Sequence, residues 1–204
     1  MDFGNQSGYI PLLAPTGPET GKMKLMTQAS KSPNRENAPK MFDRIAHRYD
    51  LLNHLLSFNT DKRWRRQLVS LIGNDSGLRL LDLATGTGDQ LITFFQSGQI
   101  EYALGVDPSE GMLQYARNKI ARLNLSDRIE VKSGTGEAIP AADSSFDIIS
   151  IRFGIRNVVD LDRSLSEMYR VLKPNGRAMI LEYRLPKNSV VRFFYLVYFR
   201  HILP

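Results

Sequence analysis

The fold of this chain is decided by one stretch, Leu80-Leu81-Asp82-Leu83-Ala84-Thr85-Gly86-Thr87-Gly88-Asp89. Apolar residues surround a single acid, Asp82, and lead directly into a Gly-x-Gly turn. A buried parallel strand that ends in a glycine turn, at the start of a helix, lets a ligand approach the backbone closely. The stretch therefore predicts a strand, a turn at Gly86 and Gly88, and a helix that begins near Asp89.

The spacing of the glycines indicates which nucleotide the turn accepts. Dinucleotide folds use Gly-x-Gly-x-x-Gly, with a third glycine for close packing of helix on strand. Leu91 occupies that third position, which argues against a nicotinamide-dependent oxidoreductase. An acid on the strand followed by Gly-x-Gly instead resembles motif I of S-adenosylmethionine (SAM)-dependent methyltransferases. That resemblance implies that SAM is bound by Asp82, Gly86, Thr87 and Gly88.

A second acid, Asp107, ends the next apolar run, Leu104-Gly105-Val106. It lies about 20 residues beyond the glycine turn, the offset at which such folds place a carboxylate on ribose hydroxyls. Two vicinal hydroxyls suit one carboxylate, because both donors reach its two acceptor oxygens. Asp107 could instead cap the helix predicted to start near Pro108-Ser109. The order of strand, turn, helix, strand and acid favours the ribose contact.

Beyond Gly77 the apolar pattern alternates between strands and helices, and Pro174 with Asn175-Gly176 is predicted to end the last helix. Such alternation implies right-handed βαβ crossovers. The predicted fold class is therefore α/β, a doubly wound, mostly parallel, Rossmann-like sheet. The predicted strands lie near 79–83, 101–106, 128–132, 146–151 and 177–183, and the predicted helices near 89–97, 109–123 and 161–172.

The parts of the chain differ in pattern. Residues 1–38 are rich in Gly, Pro, Ser, Thr and Asn and lack a helical or strand period, which predicts a disordered leader. Residues 39–76 form a predicted helical lid, with one helix that starts at Thr60 or Asp61. Residues 77–204 form the predicted Rossmann-like core. The apolar face predicted for the lid helix consists of Trp64, Leu68, Leu71 and Ile72.

Composition excludes several classes of protein and site. The chain has 204 residues, a net charge of +6 and 42% hydrophobic residues, typical of one globular domain. It has no cysteine, and its three histidines lack metal-site spacing, so we predict no disulfide and no metal. The basic excess is modest and no basic, aromatic groove stands out, which argues against nucleic acid as a partner. Residues 1–22 contain no secretory signal, so the predicted location is the cytoplasm.

Two further signatures extend the resemblance. The chain is similar to the ubiquinone/menaquinone biosynthesis C-methyltransferases over about residues 39–204. The N-terminal family signature is matched by 41–50 and 53–64, and a second signature by 153–158 and 168–176. The resemblance implies a class I methyltransferase domain that methylates a ring carbon of a prenylated benzoquinol or naphthoquinol, with SAM as co-substrate and no metal. Menaquinone or ubiquinone biosynthesis is the implied pathway.

The lipid nature of such a quinol implies peripheral contact with the inner face of a membrane, and a homodimer or a quinone-biosynthesis complex is a further expectation. The aromatic segment 190–204 could be an interfacial helix or a core helix. The family's C-terminal hairpin is missing from this sequence, so 178–181 is predicted to be an exposed strand edge. The alternatives are a truncated, non-catalytic relative that binds SAM or a partner enzyme, and a methyltransferase for another small molecule.

Family positions for the site carry over one by one. Thr135 and Gly136 stand in the loop implied to contact adenine, where the family usually has Asn-Ala. Arg152, which the resemblance places among the cofactor-binding positions, replaces a serine of one family branch. Its cation would be unfavourable near a sulfonium unless the guanidinium turns outward or meets a carboxylate. Arg156 and Asn157 follow the fourth predicted strand, where ligands gather in open α/β sheets.

We predict that Arg156 stabilises a developing phenolate, directly or through a water, and that Asn157 orients the ring. Tyr49, in the predicted lid, either hydrogen-bonds the SAM carboxylate or quinol oxygen, or is a half-buried helix aromatic. Asp89 either reaches the acceptor or the methionine ammonium, or simply occupies the first turn of its helix.

Overall fold

A computed structural model describes residues 10–13, 43 and 60–182, with the side chains of 10–13, 60 and 61 excepted. The strands are β1 (Ile10–Leu13), β2 (Leu78–Leu83), β3 (Ile100–Asp107), β4 (Ile129–Ser133), β5 (Phe146–Arg152) and β6 (Leu172–Leu181). The helices are α1 (Thr60–Ser70), α2 (Asp89–Phe95), α3 (Glu110–Arg122) and α4 (Leu161–Val171), with a short 3-10 helix at Ile155–Asn157.

The strands form one sheet in the order β1-β6-β5-β2-β3-β4. The five strands from β2 to β6 pair in parallel, and β1 pairs antiparallel with β6. The chain runs outward from β2 through β3 to β4, then returns to place β5 on the other side of β2. This arrangement confirms the predicted doubly wound α/β sheet and creates a point, between β2 and β5, where the strand order reverses.

Helices cover both faces of the sheet, so the central strands are buried on each side. On β2, Leu80 belongs to the core cluster under α1, α2 and α3, whereas its neighbour Leu81 belongs to the cluster under α4. Both residues are 0% exposed. Alternate side chains of one strand therefore enter two different cores, which is why β2 reads as a continuous apolar run.

Two local predictions are wrong. Leu71 is 46% exposed, because α1 ends at Ser70 and the chain then turns, so the buried face continues through Ile72 instead. The motif Pro174-Asn175-Gly176 does not follow a helix; α4 ends at Val171 and the motif lies inside β6. There the register slips between Phe146/Leu172 and Ile148/Arg177, so the motif forms a bulge in the strand.

The leader and the predicted sheet edge also differ from expectation. Residues Ile10–Leu13, placed in a disordered leader by the sequence, form β1. They pair with β6 from Ile10↔Ile180 to Leu13↔Arg177, so the segment predicted as an exposed edge has a neighbour on each side. The rest of 1–38, the lid apart from 43 and 60–76, and the aromatic segment 190–204 lie outside the described residues. Within the described residues, no helix has the length and apolarity needed to cross a membrane.

Candidate functional site

The two glycines of the turn after β2 have different surroundings. Both lie in the left-handed region, with φ of 56° at Gly86 and 80° at Gly88. Among the residues that the structure describes, a Cβ at Gly86 would meet no atom within 4 Å, whereas a Cβ at Gly88 would lie 3.1 Å from the Ala116 Cβ of α3. Gly86 therefore leaves open space into which a ligand can approach the main chain, and Gly88 permits α3 to pack against the turn. Glycine is required at position 88 by its positive φ and by the packing of α3, and not by the SAM contact that the sequence predicts.

Asp107, at the end of β3, holds the glycine turn in place. The Gly86 N–H donates to Asp107 Oδ2 at 2.8 Å, and the Ser109 N–H donates to Oδ1 at 2.9 Å. Burial raises the pKa of Asp107, which is buried but keeps 8% exposure. The cap of α3 is Ser109 rather than Asp107, since the Met112 N–H donates to Ser109 Oγ. Each carboxylate oxygen has a second lone pair, so Asp107 retains the capacity to accept a ribose hydroxyl.

Asp82 lies beneath the turn rather than in the open space. It is 1% exposed and accepts a hydrogen bond from Thr85 Oγ1 at 2.8 Å. Burial raises the pKa of Asp82 to about 6, although the hydrogen bond from Thr85 and the nearby hydroxyl of Ser150, its partner in β5, act in the opposite direction. With almost no accessible surface, the carboxylate positions the turn and has no face for direct contact with SAM.

The side chain of Thr87 is also turned inward. Thr87 is 3% exposed and accepts a hydrogen bond from Lys119 Nζ at 3.0 Å. The same Lys119 pairs with Asp89 Oδ1 at 2.6 Å, and Arg65 pairs with Asp89 Oδ2 at 3.0 Å. These contacts tie α1, α2 and α3 together behind the turn. Asp89 therefore serves as an ion-paired anchor, which fits the structural alternative better than contact with an acceptor.

The loop after β4 closes one side of the crevice. The Gly134 N–H donates to the Asp107 backbone carbonyl at 3.3 Å, so this loop lies beside the C-terminal end of β3. Thr135 forms a bridge with Ala138. A Cβ at Gly136 would overlap the Ser164 hydroxyl of α4, so glycine is needed there for packing. The structure thus brings the predicted adenine loop next to the predicted ribose carboxylate.

At the end of β5 the chain comes against the end of β2. Phe153 has a φ of 56°, and a Cβ at the following Gly154 would overlap Ala84. The Arg152 guanidinium lies 5.2 Å from the centroid of the Phe153 ring. Burial raises the pKa of Asp82, and the Arg152 charge is one of the weaker influences that lower it. The cation predicted to disturb a sulfonium is therefore close enough to the Asp82 carboxylate to be partly compensated.

The predicted catalytic pair lies beyond this junction, on the 3-10 helix. Arg156 Nη1 donates to Glu182 Oε1 at 2.7 Å, and the Arg156 side chain is 50% exposed. The Asn157 N–H donates to the Gly154 carbonyl, and its side chain is half-buried. The geometry keeps both residues at the carboxyl ends of β5 and β6, as predicted. Tyr49 lies outside the described residues, so its role stays a prediction.

Sequence reasoning missed two acids of this region. Glu182 follows β6 directly and pairs with Arg156; its position at a strand end was the available signal. Asp43 lies in the N-terminal signature, and its Oδ1 accepts the Ser109 hydroxyl at 2.6 Å and the Gly111 N–H at 3.0 Å. Pattern alone gave no reason to join Asp43 to a residue so far away in the chain.

Comparisons with known proteins also indicate a methyltransferase. The model of the ubiE/COQ5 methyltransferase family matches residues 29–204. A ubiquinone/menaquinone biosynthesis C-methyltransferase UbiE of Geobacter sulfurreducens is 48% identical over 170 residues, which are 83% of this chain and 66% of that protein. A demethylmenaquinone methyltransferase of Bacteroides fragilis is 38% identical over 181 residues, which are 89% of this chain and 74% of that protein.

A solved structure of a SAM-dependent methyltransferase from Aquifex aeolicus has a TM-score of 0.55 at 24% identity, and the match covers 61% of this chain and 66% of that chain. At that identity the likeness bears on the fold alone. The chain spans just under two thirds of the length of the Geobacter relative, 66%.

Proposed function

This chain belongs to the ubiE/COQ5 methyltransferase family, as its sequence predicts, and on that basis we propose that it catalyses SAM-dependent C-methylation of a prenylated quinol. The named relatives act in ubiquinone/menaquinone biosynthesis or on demethylmenaquinone, according to their names. The observation that carries the proposal is the space at Gly86, which no described residue fills, beside a carboxylate at the end of the neighbouring strand. A crevice of this kind, at the carboxyl ends of parallel strands, suits an adenosyl ligand.

The residues of the crevice fit SAM. The backbone at Gly86 has no side chain to obstruct a ligand, and Asp107 can accept from two ribose hydroxyls. Thr135 lies in the loop beside Asp107 and would face the adenine. When bound, SAM would supply a methyl group on a sulfonium, an already activated donor whose sulfur would leave as a neutral thioether. The protein therefore contributes mainly position and exclusion of water.

The acceptor carbon becomes nucleophilic when the neighbouring quinol hydroxyl loses its proton to solvent. As the carbon–carbon bond forms, the methyl–sulfur bond would break, and the ring C–H proton would then pass to solvent so that the ring regains its aromatic form. In the proposed mechanism Arg156 stabilises the resulting phenolate, and Asn157 orients the ring. Arg156 is too basic to remove the proton itself. The 2.7 Å contact with Glu182 supports a positioning role for that acid, because a paired guanidinium has a defined direction. Half of the Arg156 side chain stays exposed and accessible to a substrate.

A prenylated acceptor is dissolved in a lipid bilayer, so the proposal includes contact of this protein with the inner face of a membrane and a cytoplasmic location. A homodimer or a complex with other enzymes of quinone biosynthesis belongs to the same proposal. Flotation of the purified chain with liposomes, with and without the acceptor dissolved in them, tests the membrane contact. Recovery of the protein in the bottom fraction under both conditions would contradict it.

The function is tested with the purified 204-residue chain, methyl-labelled SAM and two reduced acceptors, a demethylated naphthoquinol and a demethylated benzoquinol. Titration calorimetry with SAM alone runs in parallel. Label in the ring of either acceptor supports the proposal and identifies its class. Binding of SAM without transfer to either acceptor would favour the non-catalytic alternative, and absence of SAM binding would refute the cofactor assignment.

A further inference from the structure

One contact joins the N-terminal signature to the rim of the crevice. Asp43, an exposed residue, accepts two hydrogen bonds at a single oxygen, from the Ser109 hydroxyl at 2.6 Å and from the Gly111 N–H at 3.0 Å. Both donors belong to the start of α3. The contact spans 66 residues of sequence in the first case and 68 in the second, so it fixes a distant part of the chain.

The contact leads directly to the predicted ribose carboxylate. Ser109 donates its hydroxyl to Asp43 and its N–H to Asp107, and Asp107 in turn accepts from the Gly86 N–H. Ser109 is 0% exposed, so its hydroxyl has little freedom to choose another partner. Burial is the main cause that raises the pKa of Asp107, and the Asp43 charge adds to it.

The start of α3 is shaped for this contact. A Cβ at Gly111 would lie 2.9 Å from Asp43 Oδ1 and 3.2 Å from Asp43 Cα, both too close for normal packing. Gly111 has no positive φ, so the helix itself does not need glycine there. Glycine in a helix is normally unfavourable relative to alanine. Its presence is explained by the close approach of Asp43.

We propose that Asp43 is a positioning residue for cofactor binding, which docks the N-terminal segment on α3 and, through Ser109, holds Asp107 ready for the ribose. The inference rests on the proposed use of SAM. The inference gives the N-terminal signature a role in SAM binding, because Ser109 contacts both Asp107 and Asp43. A coupling between two events is reciprocal, so if docking of Asp43 holds Ser109 in the position that supports Asp107, SAM binding in turn favours the docking.

The matched test pair is Asp43→Ala and Gly111→Ala. Asp43→Ala removes the hydrogen-bond acceptor. Gly111→Ala places a Cβ where Asp43 packs, and it also raises the intrinsic helix propensity of α3. Each variant should bind SAM about tenfold more weakly, a typical coupling between two sites. Asp43→Asn keeps an acceptor oxygen and should fall between wild type and Asp43→Ala. Glu110→Ala, in the same turn of α3 and paired with Arg117, should bind as wild type does.

Further readouts separate positioning from general damage. The KM for SAM should rise in Asp43→Ala while kcat at saturating SAM stays within about twofold of wild type. Saturating SAM should slow tryptic cleavage after Lys40 and Arg44 in wild type and have little effect in the variant. The double variant should bind SAM no more weakly than the weaker single variant, because both changes break one contact.

Wild-type SAM affinity in Gly111→Ala, or losses that add in the double variant, would overturn the role of Asp43 while leaving the proposed function intact. Failure of the wild-type chain to bind SAM at all would overturn both. A fall in kcat with unchanged KM in Asp43→Ala would also refute the inference, because positioning for binding predicts the opposite pattern.

Discussion

Replacement of Asp82 by asparagine should stabilise this protein, and more strongly as the pH rises. Asp82 is 1% exposed, and burial raises its pKa from the ordinary value of 3.8 to about 6. At about 1.4 kcal/mol for each pH unit of pKa change, ionisation of this buried acid costs about 3 kcal/mol of folding free energy. Asparagine cannot ionise, and its amide oxygen can still accept from Thr85 Oγ1.

The sign follows from the raised pKa in the folded state. The folded protein holds the proton on Asp82 more tightly than the unfolded chain does. The stability that wild type derives from this bound proton is therefore fully present below about pH 4 and is lost as the pH rises through about 6. The free energy of unfolding of Asp82→Asn should therefore exceed that of wild type by roughly 2 kcal/mol more at about pH 7.5 than at about pH 4.5.

Urea unfolding of both proteins without SAM at these two pH values measures the difference. Ser150→Ala is the matched control, since it changes the strand partner of Asp82 but removes no ionisable group. The part of the pH dependence that Asp82 causes should persist in that control, somewhat enlarged because the Ser150 hydroxyl lowers the pKa of Asp82, and it should be absent from Asp82→Asn. An Asp82→Asn variant whose advantage over wild type is the same at both pH values would show that the buried carboxylate is not the titrating group.

Two further predictions follow from the turn and from the arginine. Gly86→Ala and Gly88→Ala both force alanine to a positive φ, at about 1–2 kcal/mol each, but only Gly88→Ala also collides with Ala116, for about 1–3 kcal/mol more. Urea unfolding should therefore show the larger loss in Gly88→Ala, whereas calorimetry should show weaker SAM binding in Gly86→Ala; equal losses of stability would contradict this difference. Arg156→Lys should lower kcat by roughly a hundredfold with SAM affinity unchanged, because an ammonium replaces a two-pronged donor. Single-turnover methyl transfer beside SAM titration measures both quantities, and unchanged turnover would end the role given to Arg156.

The fold was largely predictable because its signals are local. The run that became β2 is apolar throughout since both of its faces are buried, with Leu80 and Leu81 in separate cores. The glycines after β2 predicted the turn, and two of them, Gly86 and Gly88, do have positive φ. The errors came where a local signal has two meanings. Pro174-Asn175-Gly176 suits the end of a helix and equally a bulge, and its register opposite β5 decided between them.

The site was predictable at the level of strand ends and less so at the level of side chains. Asp107 lies at the predicted edge because the carboxyl ends of parallel strands meet there. Asp82, only four positions before Gly86, was predicted to touch SAM but points beneath the turn. Alternation along a strand assigns a side chain to one face, and which face leads to the crevice depends on the neighbouring strands.

By itself, the sequence determined the alternation of strands and helices, the glycine turn and the position of its carboxylate partner, because each depends on residues close together in the chain. The tertiary structure alone decided that Asp43 meets Ser109 and Gly111, that Glu182 meets Arg156, and that β1 lies beside β6. These contacts join residues far apart in sequence. Their formation depends on how the packed sheet directs each segment through space, and no short pattern encodes that direction.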